Sequence, residues 1–316
     1  MAEPTIKESH RYVDMWLAPG LHPTNIEFLQ QLKSADTNHF TKGMDVIGTI
    51  SELDKEDTWQ KTHLIGLRAD VWRPDPKEVQ RTLRILKDKR RTEIKKSIRS
   101  RGRLNQKQEA LLEQQSEIDS VLKMSSQDLE SRRLVLKLFK MTPNRVRWCG
   151  TIEEVTTAEV HNSIGSRRNL LTMLVTLPNT QLVTRIQENH RTFRYPSIFS
   201  FCYIEKDRAY HVSLKQRWVS LGPDFDIWIN GKDVGIVDGK LMCLGSDSYV
   251  DLEDHELAED TRFIDLLTLF AASIGYHKAM RKSTKRRIAA TLSGNGHYHI
   301  IEDEEIRLRH NGRAAA

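Results

Sequence analysis

The sequence predicts a β-rich α+β protein: a closed antiparallel barrel of roughly twelve strands around a central C-terminal hydrophobic helix, with an inserted helical hairpin. Three observations lead there. The stretch "FIDLLTLFAASIGYHKAMRK" (263–282) puts Phe263, Ile264, Leu266, Leu267, Leu269, Phe270, Ala271, Ala272, Ile274 and Tyr276 on every side of a helix. A surface helix of a soluble protein carries one apolar stripe instead. The apolar part is 14 residues long, Phe263 to Tyr276, and is interrupted by Asp265 and Thr268; a bilayer span needs about 20 apolar residues. Protein, not lipid, therefore surrounds it. Second, residues 145–252 alternate with a period of two and are rich in β-branched and aromatic residues, as antiparallel strands are. Third, about ten to twelve strand candidates lie between "DVIGTIS" and "SYVDL". An eight-stranded barrel is filled by its own side chains, whereas about eleven strands enclose a helix.

Taken in order, residues 1–39 read as an N-terminal segment with one short amphipathic helix, "TNIEFLQQLKS" (24–34), capped by Thr24 or Asn25. The barrel occupies 40–75 and 141–282. "DVIGTIS" and "HLIGLRADVW" are its first strands, the second stopped by the prolines of "RPDP". Residues 76–140 change to helical spacing: Val79, Leu83 and Leu86, then Ile94 and Ile98, then Leu111, Ile118 and Leu122. A basic first arm and an acidic second arm (104–130), turning at Arg101-Gly102, neutralise one another as an antiparallel hairpin. "QDLESRRLVLKLFK" reads as a third helical piece.

From 145 to 252 strands follow one another without a helix, with turns at Pro178-Asn179 and Asn230-Gly231. The central helix spans 261–282, with Asp260 or Thr261 as cap and Lys278, Arg281 and Lys282 at its C-terminal end, where cations are favoured. Residues 283–316 form a basic and then acidic tail, in which "HYHIIEDEEIRLR" alternates like one more strand or an extended tail.

An internal repeat supports the barrel. "RWVSLGPDFDI" and "KLMCLGSDSYV" align 23 residues apart, matching Leu221-Gly222 to Leu244-Gly245 and Asp224 to Asp247. Each copy reads as a strand entering a Leu-Gly corner. The run "YHVSLKQRWVSLGPDFDIWINGKDVGIVDGKLMCLGSDSYVDL", followed by one apolar helix, resembles the LURP-one-related proteins and, more distantly, phospholipid scramblases and the tubby C-terminal domain. The resemblance covers residues 195–282 best, is weak over 40–75 and 145–195, and is absent over 76–140. It implies a twelve-stranded barrel on a hydrophobic helix, and recognition of phosphoinositide head groups by exterior Lys and Arg.

The chemistry-bearing residues point to binding. There is no Gly-rich phosphate loop, HExxH, GxSxG or paired CxxC, so no enzyme activity and no cofactor are expected. His297, His299, Asp303 and Glu304 have no further metal spacing around them, and no metal site is assigned. Three scattered cysteines and the lack of a secretory start suggest a cytoplasmic chain, with peripheral membrane or nuclear placement as variants. Cys202 and Cys243 are expected to pack inside the barrel.

The net charge of +6 is unevenly placed. Residues 77–103 hold twelve bases against three acids, "DLEDHELAED" (251–260) six acids, and "HKAMRKSTKRR" (277–287) six bases. Such clusters attract polyanions. If the activity implied by the resemblance is shared, anionic membrane lipid is met by Lys278, Arg281, Lys282, Lys285, Arg286 and Arg287, with Arg167 and Arg168 as a second group. The alternative partner is nucleic acid, held along the basic helix by Lys87, Lys89, Arg90, Arg91, Lys95, Lys96, Arg99, Arg101 and Arg103. No aromatic residue interleaves that run to stack on bases. A third reading makes the hairpin 76–140 a protein-docking arm.

Overall fold

The computed structural model describes residues 8–16, 44–54, 58–72, 76–99, 122, 133–142, 145–180, 182–190, 196–219, 222–241, 245–253 and 255–293. Twelve strands close into one antiparallel barrel: β1 (Ser9–Trp16), β2 (Met44–Leu53), β3 (Trp59–Arg68), β4 (Val135–Thr142), β5 (Arg145–Glu154), β6 (Thr172–Thr176), β7 (Thr184–Glu188), β8 (Ile198–Glu205), β9 (Arg208–Gln216), β10 (Phe225–Ile229), β11 (Lys232–Leu241) and β12 (Gly245–Leu252). Each strand pairs with its neighbours in sequence, and β1 pairs with both β2 and β12. An up-and-down meander closes with every pair antiparallel only when the strand number is even. Closure leaves no exposed edge.

Among the described residues, the α-helices of four residues or more are α1 (Ala69–Trp72), α2 (Pro76–Arg99), α3 (Thr156–Ser163), α4 (Thr261–Ser273) and α5 (His277–Leu292). A 3₁₀ turn over Ile274–Tyr276 joins the last two. Every residue of α4 from Phe263 to Ser273 is buried, and Leu266, Leu269 and Phe270 have no exposed surface. The Asp260 side chain accepts from Arg262 N and caps the helix.

The helix sits off-centre, closest to β5, β12, β1 and β4. Small inward groups make that side shallow: Ser246 and Ser248 on β12 are buried, and a Cβ on Gly150 would lie 3.0 Å from Leu269 Cδ1. The deeper side is filled by Phe199 and Phe225, whose rings meet Phe270 at 5.2 and 5.3 Å. Large residues face large gaps and small ones face the rod, which is how interiors reach crystal-like density.

Both glycines of the repeat stand where a neighbouring strand leaves no room. A Cβ on Gly222 would lie 1.5 Å from the Gly239 carbonyl oxygen, and one on Gly245 2.7 Å from that of Met15. The repeated acids diverge. Asp224 accepts from Gly239 N at 3.0 Å, whereas Asp247 pairs in register with Lys240 and Asp14. Two-residue hairpins form at Asn230-Gly231, as expected, and at Lys206-Asp207; all four residues have positive φ, which matches the twist of the flanking strands.

Five expectations are corrected. Ser9–Trp16, assigned above to a segment outside the barrel, is the strand that closes it. Its inward residues Arg11, Val13 and Met15 alternate with half-buried ones, a short pattern with a polar member. "VLKLFKMT" is strand β4 rather than the end of a helical piece: Val135 to Phe139 are all buried, so both its faces are covered, and apolar residues on both faces mimic helical spacing. The region 145–252 does contain a helix, α3, which lies at the barrel rim. The central rod continues to Leu292, so residues 283–292 are helix rather than tail. Cys202 is exposed on the outward side of β8, against the expectation, while Cys149 is buried, and burial raises its thiol pKa. The short helix 24–34, the second hairpin arm apart from Leu122, Cys243 and the segment 294–316 lie outside the described residues.

Candidate functional site

The register of the strands defines two ends of the barrel. At one end are the start of α4, the β8–β9 hairpin and the 3₁₀ turn Glu256–Glu259. Here Glu205, Glu256, Glu259 and Asp260 line a recess of about 620 Å³ together with Lys206, Arg208, Tyr210, Leu257 and Thr261. Tyr203 donates to Asp260 at 2.5 Å, Tyr210 to Glu256, and Arg262 to Glu205. Burial and the Asp260 carboxylate push the Tyr203 phenol pKa up. The acidic linker of the sequence thus becomes an acidic mouth.

The other end carries α3, the loop 164–171 and α5, and α2 leaves the wall here through α1. The Trp72 ring meets Tyr276 edge-on at 5.2 Å where the rod emerges. One face of α5 is held down by three almost fully buried glutamates, each bonded at once to a backbone N–H at or just before the start of a strand and to the helix. Glu154 accepts from Leu134 N at 2.9 Å and from Arg287 at 2.8 Å. Glu159 accepts from Thr172 N at 3.2 Å and from Thr284 at 2.7 Å. Glu188 accepts from Leu171 N at 3.0 Å, from both guanidinium nitrogens of Arg281 at 2.7 and 2.9 Å, and from Arg168 at 3.3 Å.

Electrostatics follow burial. Glu159 is pushed well above the usual carboxylate range by desolvation first and then by the neighbouring Glu154, against the opposing pull of Arg287 and the Thr284 hydroxyl. His277, at the first turn of α5, lies against Phe199 and Phe270 and contacts Ser273 Oγ at 3.2 Å. Burial first, and then Arg281 and Arg168, lower its pKa to about 3.

The basic run is therefore divided by helical geometry. Arg281, Thr284 and Arg287, spaced by three, face the barrel. Lys278, Lys282, Lys285 and Arg286 are exposed on the opposite face. Arg167 is exposed in the loop after α3, and that loop is tied to the helix because Asn169 Nδ2 donates to Arg281 O at 3.0 Å. Of the eight residues assigned to lipid, five are thus presented to solvent at one end. Arg168, Arg281 and Arg287 are instead committed to glutamates. Nothing in the spacing of 277–287 separates the two sets without knowing which face docks, and Glu154, Glu159 and Glu188 are ordinary strand or helix acids in sequence.

On α2, Lys89, Arg90, Arg91, Lys95 and Lys96 are exposed and Lys87 is half-buried. Arg90 pairs with Glu93 at 3.2 Å and Arg91 with Asp88 at 3.6 Å, both within the helix. Arg99 ends the helix; Arg101 and Arg103 lie outside the described residues. Also outside them are His297, His299, Asp303 and Glu304. Among the described residues no group of three or more His, Cys, Asp or Glu could hold a metal ion, and no helix is long and apolar enough to cross a membrane. Comparison with protein families, with curated proteins and with solved structures returned no match.

Proposed function

We propose that this protein is a non-catalytic binding or adaptor protein that attaches peripherally to anionic membrane lipid, of the phosphoinositide head-group type, through the outer face of α5. The observation that carries this reading is the division of the basic run. Three arginines are spent on buried glutamates, which fixes the helix, and Lys278, Lys282, Lys285, Arg286 and Arg167 are then displayed together at one end. Polybasic clusters gain about 1 kcal/mol per residue near an anionic leaflet. The acidic recess lies at the other end, so the field of the molecule orients it with α5 toward a negative surface. The proposal of kinship with the LURP-one-related and tubby-like barrels rests on the "SLG…LG" run together with a twelve-stranded barrel enclosing one helix.

Sedimentation with liposomes, with and without phosphoinositide, tests it. Wild-type protein is expected to pellet with anionic vesicles and not with phosphatidylcholine alone. The triple change Lys282→Glu, Lys285→Glu, Arg286→Glu should weaken binding by on the order of a hundredfold without moving the thermal midpoint. Equal pelleting of both proteins refutes the reading.

Exposure of Lys89, Arg90, Arg91, Lys95 and Lys96 along one helix favours a second reading, salt-dependent and sequence-independent nucleic-acid binding by α2. A gel shift with random duplex or RNA across a salt series decides it. Protein docking through the hairpin 76–140 becomes the working proposal if neither polyanion binds.

A further inference from the structure

The β9–β10 loop belongs to the same end of the barrel as the basic face of α5, and it carries an apolar tip. Trp218 is 68% exposed and Val219 93% exposed, directly after the strand residue Gln216 and Arg217. A continuous chain of hydrogen bonds fixes where this tip lies. Gln216 N donates to Ser197 O at 2.9 Å, and Ser197 N donates to Gln216 Oε1 at 3.2 Å. The Ser197 hydroxyl accepts from the Arg168 guanidinium at 2.5 Å. Arg168 lies between the exposed Arg167 and Asn169, whose side chain is bonded to α5. The base of the loop is also braced, since Arg217 N donates to Asp224 O at 2.9 Å and Arg217 Nε to Asp226 Oδ1 at 2.6 Å. Ile164, in the turn that leads to Arg167, is a third exposed apolar side chain at this end.

We infer that Trp218 and Val219 form a wedge that inserts into the interfacial region of an anionic bilayer while the α5 cations hold its head groups. This rests on the membrane reading above and adds to it the second, apolar half of the attachment. A tryptophan with an apolar body and one N–H is suited to the head-group boundary, where one side is wet and the other is not. Charge alone gives reversible, salt-labile binding, whereas stable attachment takes two signals. Here the cations and the wedge are joined by ordered hydrogen bonds, so their relative position is set before binding and little ordering entropy is lost on contact. The lipid source matters: a soluble polyanion would engage the cations and leave Trp218 in water.

The test uses the full chain and vesicles of three parts phosphatidylcholine to one part phosphatidylserine. In wild-type protein a bound fraction should survive salt that screens exposed charges, and brominated lipid should quench tryptophan emission. Trp218→Phe should lose most of that quenching. Trp218→Ser with Val219→Ser should bind about tenfold more weakly and become fully salt-labile. Val219→Ser alone, at a position in solvent, guards against a folding defect and should show a smaller change of the same sign. If wild type binds but the serine variants keep its salt dependence and Trp218→Phe keeps its quenching, the wedge is refuted while head-group attachment by charge stands. If wild type binds no vesicle, the membrane reading falls and the wedge falls with it.

Discussion

Asp265 is the acid that interrupts the apolar circumference of α4, and inside the barrel it meets Arg11 of β1. The guanidinium donates to Asp265 at 2.6 Å and to Thr268 at 3.1 Å, and reaches Glu52 at 2.6 Å. Burial raises the Asp265 pKa while Arg11 opposes the shift, so the pair is held against a real desolvation cost. Removing one member of such a pair leaves an uncompensated charge, which typically costs about 3–5 kcal/mol; replacing both by apolar groups is often neutral. Asp265→Leu or Arg11→Met alone should therefore lower unfolding stability by about 3 kcal/mol, whereas the double variant should recover most of it. Urea denaturation checks this. Additive losses would mean that the two residues act separately.

At the scale of the element, α5 has one face docked on the barrel and one exposed, and its docked face is where pH should act. The ordinary His277 pKa of 6.5 falls to about 3 in the folded chain. The unfolded chain then binds the proton more readily. Its contribution to stability is full above pH 6.5 and is lost as pH falls toward 3. Glu159 and Asp265, whose pKa values are raised, act in the opposite sense, and their contribution is lost as pH rises through their folded values. His63, lowered to about 2 mainly by burial, adds to the His277 trend. Because these effects overlap, the informative quantity is a difference between proteins. Between pH 6.5 and 4, wild type should lose on the order of 3 kcal/mol more stability than His277→Gln. Parallel stability curves for the two proteins would show that His277 is not held neutral by its site.

At the scale of the molecule, the barrel is closed by its first strand, and the rod it encloses is pinned at one end by Arg11 and at the other by three glutamates. Without β1, the edges of β2 and β12 would be unpaired and the shallow side of the barrel, where α4 rests, would be open. Removing residues 1–16 should thus abolish cooperative unfolding and give aggregation or dye-binding apolar surface. A sharp thermal transition near that of the full chain would contradict this. The same polarity along the barrel axis, acidic at the start of α4 and basic beside α5, makes one end suited to an anionic surface and the other unsuited.

Much of this architecture was legible in the residues. The apolar circumference of 263–276 required protein on all sides, the period of two in 145–252 required strands, and the Leu-Gly corners marked where backbones touch. Those signals survive reading because they come from local periodicity and from burial averaged over a whole element. Less legible were Ser9–Trp16 and "VLKLFKMT". The former has a polar inward member in a short run, and the latter carries apolar residues on both faces with a lysine on each, where helix and strand look alike. Which of the basic residues face water was not readable at all. It depends on Glu154, Glu159 and Glu188, which are distant in sequence and meet α5 only in the tertiary structure. Composition and periodicity determined that a helix is wrapped by a sheet and that basic residues cluster in the chain; tertiary contact alone decided which of those cations stay exposed, because a charge buried against its opposite is no longer available to a partner in solution.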